Sequence, residues 1–253
     1  MLHEAILWEL GNTGIVFHAK TLVMAWIVMA IILIICVLGT RSLTDGKPGK
    51  MQNLLEWIID FVRNMVGDNM DAKTSRYVLP YLVTLIFFIF VSNMIGLFPN
   101  ILGFFGFFHL HLPEFARLGD IFHGATLQSP TADINCTISL ALLTFFLIFY
   151  MGIRDKGLRY FHHFIEPNPV FAVIHIIDML SKPMTLGFRL FGNIFAGEVL
   201  ISVILMIPGL WVFPGALPLM IWLGFSIFIG CIQSYVFTML TTAYVSQAVA
   251  HDH

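Results

Sequence analysis

The stretch from Val170 to Ile207 reads VFAVIHIIDMLSKPMTLGFRLFGNIFAGEVLISVILMI, 38 residues in which the only charges are Asp178, Lys182, Arg189 and Glu198. As one helix at ~1.5 Å per residue it would be ~57 Å long, nearly twice a ~30 Å hydrocarbon layer. It must therefore tilt steeply, bend or lie partly in the membrane interface. The next residues, Pro208 to Pro218, carry proline and glycine and no charge, which reads as a short outer turn. A second long apolar run follows, from Pro218 to Ala250. The expectation is an antiparallel, steeply tilted hairpin over 170–207 and 218–250.

Working outward, the rest of the chain has the same character. Of its 253 residues 58% are hydrophobic and 11% charged, a composition for lipid rather than water. Further apolar segments of spanning length occupy 21–39, 79–98 and 134–152. Between the first two, Leu54, Leu55, Ile58, Ile59, Val62, Met65 and Val66 recur at helical spacing, opposite Gln52, Glu56, Asp60, Arg63 and Asn64. That pattern predicts an amphipathic helix over 51–70 lying in the interface. The fold expected is an all-α integral membrane domain spanning 1–253, with about five membrane-embedded helices and one interfacial helix.

The basic residues set the orientation. Nine of the 13 (Arg41, Lys47, Lys50, Arg63, Lys73, Arg76, Arg154, Lys156 and Arg159) fall in the loops after the first and third spans, against Lys20 and Arg117 on the other side. Residues 1–20 and the 99–131 loop are therefore expected outside and the C-terminus inside. Glu4 and Glu9 stand where a signal peptide needs a basic region, so the N-terminus is expected to be retained. The net charge of -2 gives no footprint for nucleic acid. Cys36, Cys136 and Cys231 each sit in an apolar run and read as small hydrophobes. The histidine pairs His109/His111, His162/His163 and His251/His253 lack a matching carboxylate or cysteine set, so neither metal nor cofactor is assigned.

Polar residues inside the spans carry the functional reading. Asp178, Lys182, Thr185, Arg189 and Asn193 are spaced 4, 3, 4 and 4 residues apart and share one helix face. Glu198 lies on the opposite face, nearer the outer turn. In the second hairpin helix Ser226, Gly230, Gln233, Tyr244 and Gln247 share an arc. Arg189 is 19 residues before Pro208 and Gln233 is 15 after Pro218, so their heights differ by roughly one turn, about 6 Å, and a meeting between them is expected. Asp133, Asn135, Thr137 and Ser139 begin the third span at its outer end, and Ser92 and Asn93 lie near the outer end of the second.

Several of these also have structural readings. Asp133 suits a helix N-terminus, with Thr131 as the cap. Lys182 suits snorkelling to the inner interface with Asp178 one turn away. Asn193 and Gln233 suit interhelical hydrogen bonding. Arg189 resists such a reading. An arginine at the bilayer centre costs roughly 2.5–3.5 kcal/mol and cannot shed its proton. Its neighbours at three and four residues are Leu186, Thr185, Gly192 and Asn193, none acidic. The small residues Gly187, Gly192, Ala196 and Gly197 allow another helix to approach and supply the missing carboxylate.

The run from Ser181 to Glu198, SKPMTLGFRLFGNIFAGE, closely resembles the signature of subunit a of F-type ATP synthases, and Pro130 to Asn135 and the last helix with Gln233 look like the same family. The resemblance runs from the first span to the tail and is strongest from residue 170. It implies an ion-translocating stator subunit in a bacterial inner membrane, partnered by a ring of c subunits, peripheral-stalk b subunits, the rest of the ATP synthase and membrane lipid. It implies no catalysis by this chain alone. The matching arginine faces the ring's essential carboxylate, and the positions of Asn193, Glu198 and Gln233 line the ion path. Some relatives carry histidine seven residues before the glutamine; Ser226 here leaves no imidazole for a relay.

Together these readings assign an outer half-channel to Glu198, Asn193, Gln233, Asp133 and Asn93, and an inner one to Asp178, Lys182 and Thr185. Arg189 stands between them. The expected ion is a proton, although the ligands that choose between proton and sodium belong to the ring. The competing reading is an independent anion transporter or channel with Arg189 as the substrate-binding residue, against which the chain shows no inverted repeat.

Overall fold

A computed structural model describes residues 7–9, 16–41, 43–44, 46–109, 129–157, 169–206 and 216–250. These residues are helical apart from one short antiparallel strand pair, β1 (Leu7–Glu9) and β2 (Val16–His18), in which Trp8 opposes Phe17. The pair lies in the segment read as the outer N-terminus. Six α-helices follow: α1 (Ala19–Thr40), α2 (Lys50–Gly67), α3 (Ala72–His109), α4 (Ile134–Lys156), α5 (Pro169–Met206) and α6 (Ala216–Val249). A 3₁₀ turn, Pro130–Ala132, precedes α4. Five helices, all but α2, are long and apolar enough to cross a membrane. The chain is an all-α, multi-pass membrane protein.

Helices suit this setting because each satisfies its own backbone polar groups where no water is at hand. The outward faces are correspondingly apolar: Trp26, Leu33, Ile177, Ile221 and Phe228 are all more than half exposed. In water such a surface would be untenable, so lipid or a partner must cover it. The protein's interior is built where α3, α4, α5 and α6 converge on Leu82, Ile89, Ala141, Leu190, Phe237 and Val245. A smaller cluster of Leu97, Ile201, Leu219 and Leu223 closes the other end of the α5–α6 pair.

The hairpin helices are 38 and 34 residues long, so the length argument for tilting or bending applies to both. Pro183 lies inside α5 and leaves the Met179 carbonyl without its helical donor. Helix α4 carries Arg154 and Lys156 in its last turn, where cations favour the helix dipole, and stops at Gly157 with φ 62°.

Three observations refine the sequence reading. Helix α3 is also 38 residues long and continues through His109, so the start of the expected 99–131 outer loop is helical; residues 110–128 lie outside the described set. Gln52, expected on the polar face of α2, is buried because α2 packs against α1 and α3. Its amide donates to the Thr44 carbonyl at 3.1 Å and to Glu56 Oε1 at 2.8 Å, and its own oxygen accepts from Thr44 N at 3.3 Å. Leu54, expected to face the membrane, is exposed together with Met51, Trp57 and Phe61, and the rings of Trp57 and Phe61 stack at 6.3 Å. Gly39 accounts for the closeness of α1 and α2: a Cβ there would stand 2.1 Å from Leu55 Cδ1.

Candidate functional site

The polar stripe of α5 and the polar arc of α6 meet along one seam. Asn193 donates its amide N–H to Gln233 Oε1 at 2.9 Å. This places residues 193 and 233 at one height, which is the register obtained by counting 15 residues back from Pro208 and 15 on from Pro218. Gln233 therefore meets Asn193, one turn beyond Arg189, rather than Arg189 itself. Towards the other end of the seam, Lys182 Nζ lies 3.4 Å from Gln247 Oε1 and 5.4 Å from the Tyr244 ring centre. Towards the hairpin turn, Trp222 Nε1 donates to the Gly197 carbonyl at 3.2 Å.

Arg189 is half-buried between Leu186 and Leu190, both fully packed inside. Among the described residues it forms no salt bridge. Its surroundings on the open side are Thr185, Phe188 and Ala196, all exposed, and Gly192, where a Cβ would meet nothing within 4 Å. Gly187, by contrast, is used inside the chain: its Cβ would stand 3.4 Å from Ile138 Cα of α4. Of the small residues read as helix-approach positions, Gly192 and Ala196 thus remain open beside the arginine.

On the side of Arg189 nearer the α5–α6 turn, a cavity of about 610 Å³ lies between α3, α5 and α6, lined among others by Asn93, Asn193, Glu198, Trp222 and Ser226. Asn93 is buried, donates to the Gly230 carbonyl at 3.1 Å and accepts from the Thr131 hydroxyl at 2.8 Å. Glu198 Oε1 accepts the Ser129 main-chain N–H at 3.3 Å. Three buried side-chain atoms have no hydrogen-bond partner among the described residues, Ser92 Oγ, Ser226 Oγ and Gln233 Nε2. All three belong to this part of the bundle. A buried unpaired polar atom costs about 1–3 kcal/mol, and water is its usual remedy.

The opposite end of the seam is built differently. Asp178 Oδ2 and Lys182 Nζ form a salt bridge at 3.0 Å on the surface of α5. The Thr185 hydroxyl donates to the Ser181 carbonyl at 2.8 Å and the Ser181 hydroxyl to the Asp178 carbonyl at 2.9 Å. Both structural readings of these residues therefore hold: Lys182 pairs one turn away, and the amides join the helices.

Asp133 stands apart from the cavity. It is itself the cap of α4, accepting the Asn135 N–H at 2.9 Å, and it accepts the Thr21 hydroxyl at 2.6 Å. The expected cap, Thr131, instead belongs to the Asn93 network. Sequence reasoning missed Ser129, Gly96 and Trp222, which shape the cavity. A glycine in an apolar span and a serine just before Pro130 were the available signals.

Comparison with known proteins follows the same outline. A family model described as ATP synthase A chain matches residues 22–246. The chain is 39% identical over 247 residues to ATP synthase subunit a of Oceanobacillus iheyensis, covering 96% of this chain and 95% of that protein. It is 39% identical over 252 residues to ATP synthase subunit a of Bacillus subtilis, with 95% and 96% covered. For ATP synthase subunit a of Desulforamulus reducens the figures are 38% over 242 residues, with 94% and 82% covered. With a span-rich fold, a half-buried arginine beside small residues and a match over most of its length, the chain belongs to the ATP synthase A chain family, that of ATP synthase subunit a.

Proposed function

We propose that this chain is the ion-translocating stator subunit in the membrane sector of an F-type ATP synthase, with Arg189 separating two offset half-channels against a rotating c-ring. One observation carries the reading: a half-buried arginine inside a span, without an acidic partner among the described residues, on a face left open by Gly192 and Ala196. Such a charge needs a carboxylate from outside the chain.

In this account an ion enters from outside through the cavity at Glu198, passes Asn93, Asn193 and Gln233, and neutralises a ring carboxylate. Asp133, also assigned to the outer route, is engaged in capping α4 and bonds Thr21 apart from the cavity. The neutral carboxylate faces lipid without the cost of a buried charge. Rotation carries it round to the inner route at Asp178, Lys182 and Thr185, where it ionises. Arg189 attracts the ionised form by roughly 4 kcal/mol at ~4 Å and an effective dielectric of ~20, and its charge opposes direct leakage. The membrane potential contributes about 2.3 kcal/mol per charge per 100 mV. The proton is the ion we assign, with the N-terminus outside, the C-terminus in the cytoplasm, and peripheral-stalk b subunits holding the chain against the turning ring.

Arg189→Ala tests this. Gradient-driven ATP synthesis should fall to background while the complex still assembles, and passive leak should rise or persist. Arg189→Lys should restore little, because lysine lacks the planar fork and holds its proton less firmly when buried. Near-normal synthesis in an assembled Arg189→Ala complex would overturn the proposal.

A further inference from the structure

We propose that Ser129 and Gly96 form a cradle that positions the Glu198 carboxylate for ion passage, Ser129 by its main-chain N–H and Gly96 by having no side chain. The inference rests on the assignment of Glu198 to the outer route.

The donor is held from several sides. Ser129 N–H points at Glu198 Oε1 across 3.3 Å. The Ser129 hydroxyl lies 2.8 Å from the Ser92 carbonyl and 2.6 Å from the Thr131 hydroxyl, which in turn lies 2.8 Å from Asn93 Oδ1. Two hydroxyl hydrogens thus serve three contacts, a shared network rather than independent bonds. Ser129, Thr131 and Asn93 are almost wholly buried, and Asn93 is anchored in turn on the Gly230 carbonyl. The segment that follows the outer loop is therefore fixed to α3 and α6, and through its N–H it reaches across to α5.

Gly96 makes this approach possible. A Cβ at 96 would stand 2.6 Å from Ser129 Cβ, 3.0 Å from Ser129 N and 3.1 Å from Glu198 Oε1. Any side chain there displaces donor and acceptor together. Among the described residues lining the cavity from α3, α5 and α6, Glu198 is the one titratable group. Asp133 caps α4, and Arg189 lies further along α5. A donor aimed at Glu198 consequently acts on the group that exchanges ions with the cavity.

The backbone permits a clean separation of N–H from hydroxyl. Ser129 has φ -57° and ψ 130°, values that proline adopts without strain. Ser129→Pro removes the N–H, whereas Ser129→Ala keeps it; both lose the hydroxyl. The assay is gradient-driven ATP synthesis per assembled complex, with the whole complex in liposomes and the pH varied.

Ser129→Pro should run on the order of tenfold slower than Ser129→Ala, a difference of about 1.4 kcal/mol in the barrier. Loss of a donor to the ionised form should also move the midpoint of the pH–rate profile upward, which a defect in packing alone would not do. Gly96→Ala, an independent route to the same displacement, should show the same upward movement. Equal rates and equal midpoints for Ser129→Pro and Ser129→Ala, or an unmoved midpoint in assembled Gly96→Ala, would overturn the cradle. Glu198→Gln is run alongside; wild-type synthesis in that variant would overturn the outer-route assignment instead.

Discussion

The two ends of the polar seam solve the problem of charge in a membrane in opposite ways. The end near the α5–α6 turn, proposed as the outer one, is internal: Glu198, Asn93, Ser129 and Thr131 join three helices and a 3₁₀ turn around a cavity, with unpaired buried polar atoms close by. The opposite end, proposed as the inner one, is superficial, with Asp178 and Lys182 paired on the face of one helix and Lys182 reaching over to Gln247. An ion arriving from outside needs a route through protein, so that end needs a shaped, wet interior. An ion leaving inward needs only an accessible polar surface. Arg189 lies where the two constructions meet, and in the function proposed above that asymmetry is what turns a polar seam into a pair of offset routes.

The contrast predicts unequal responses to substitution. Glu198→Gln, at the outer end, should slow gradient-driven synthesis by on the order of tenfold, about 1.4 kcal/mol in the barrier, with assembly intact; unchanged rates would remove the outer route. Asn93→Ala should next cost about 1–3 kcal/mol of stability, because it removes the acceptor of the Thr131 hydroxyl and a donor to the Gly230 carbonyl inside the protein. Chemical unfolding in detergent measures this. At the inner end Lys182→Gln should cost at most about 1 kcal/mol by the same measurement, as expected of a partly exposed pair. A loss there as large as that of Asn93→Ala would break the comparison.

The smallest effect lies outside the seam. Asp71, at the start of α3, is held below the ordinary carboxylate range by the Thr74 side chain and nearby backbone N–H groups. Since its folded value is the lower one, its contribution is present above the ordinary carboxylate pKa and fades as pH falls through the depressed value. Thermal unfolding followed from neutral to acid pH should show a slightly flatter dependence for Asp71→Ala, and an identical curve would refute the contribution.

Much of this was legible in the sequence. Apolar run length gave the spans, and counting from Pro208 and Pro218 put Gln233 within about one turn of its partner's height. What escaped was tertiary. Gln52 sits on the polar side of a helical wheel, yet α2 has a second apolar contact surface, and the backbone at Thr44 supplies the amide with partners that no periodicity reveals. Arg189 was expected to meet Gln233 because both are polar and near in height; the residue at the same height is Asn193, one turn further along the same face, and its amide takes the Gln233 oxygen. Asp133 and Thr131 exchanged roles because cap geometry depends on the local turn, not on composition. The Ser129–Gly96 approach joins residues 33 positions apart across a loop, and only the folded chain brings them together.

The central claim, that the seam opens to opposite sides of the membrane at its two ends, is tested most directly by sided labelling. Cys36, Cys136 and Cys231 would first be replaced, and a single cysteine introduced by Glu198→Cys or by Asp178→Cys in the assembled complex. The account predicts that a membrane-impermeant thiol reagent reaches position 198 from the outer side only and position 178 from the inner side only. Reaction at both positions from the same side would contradict it.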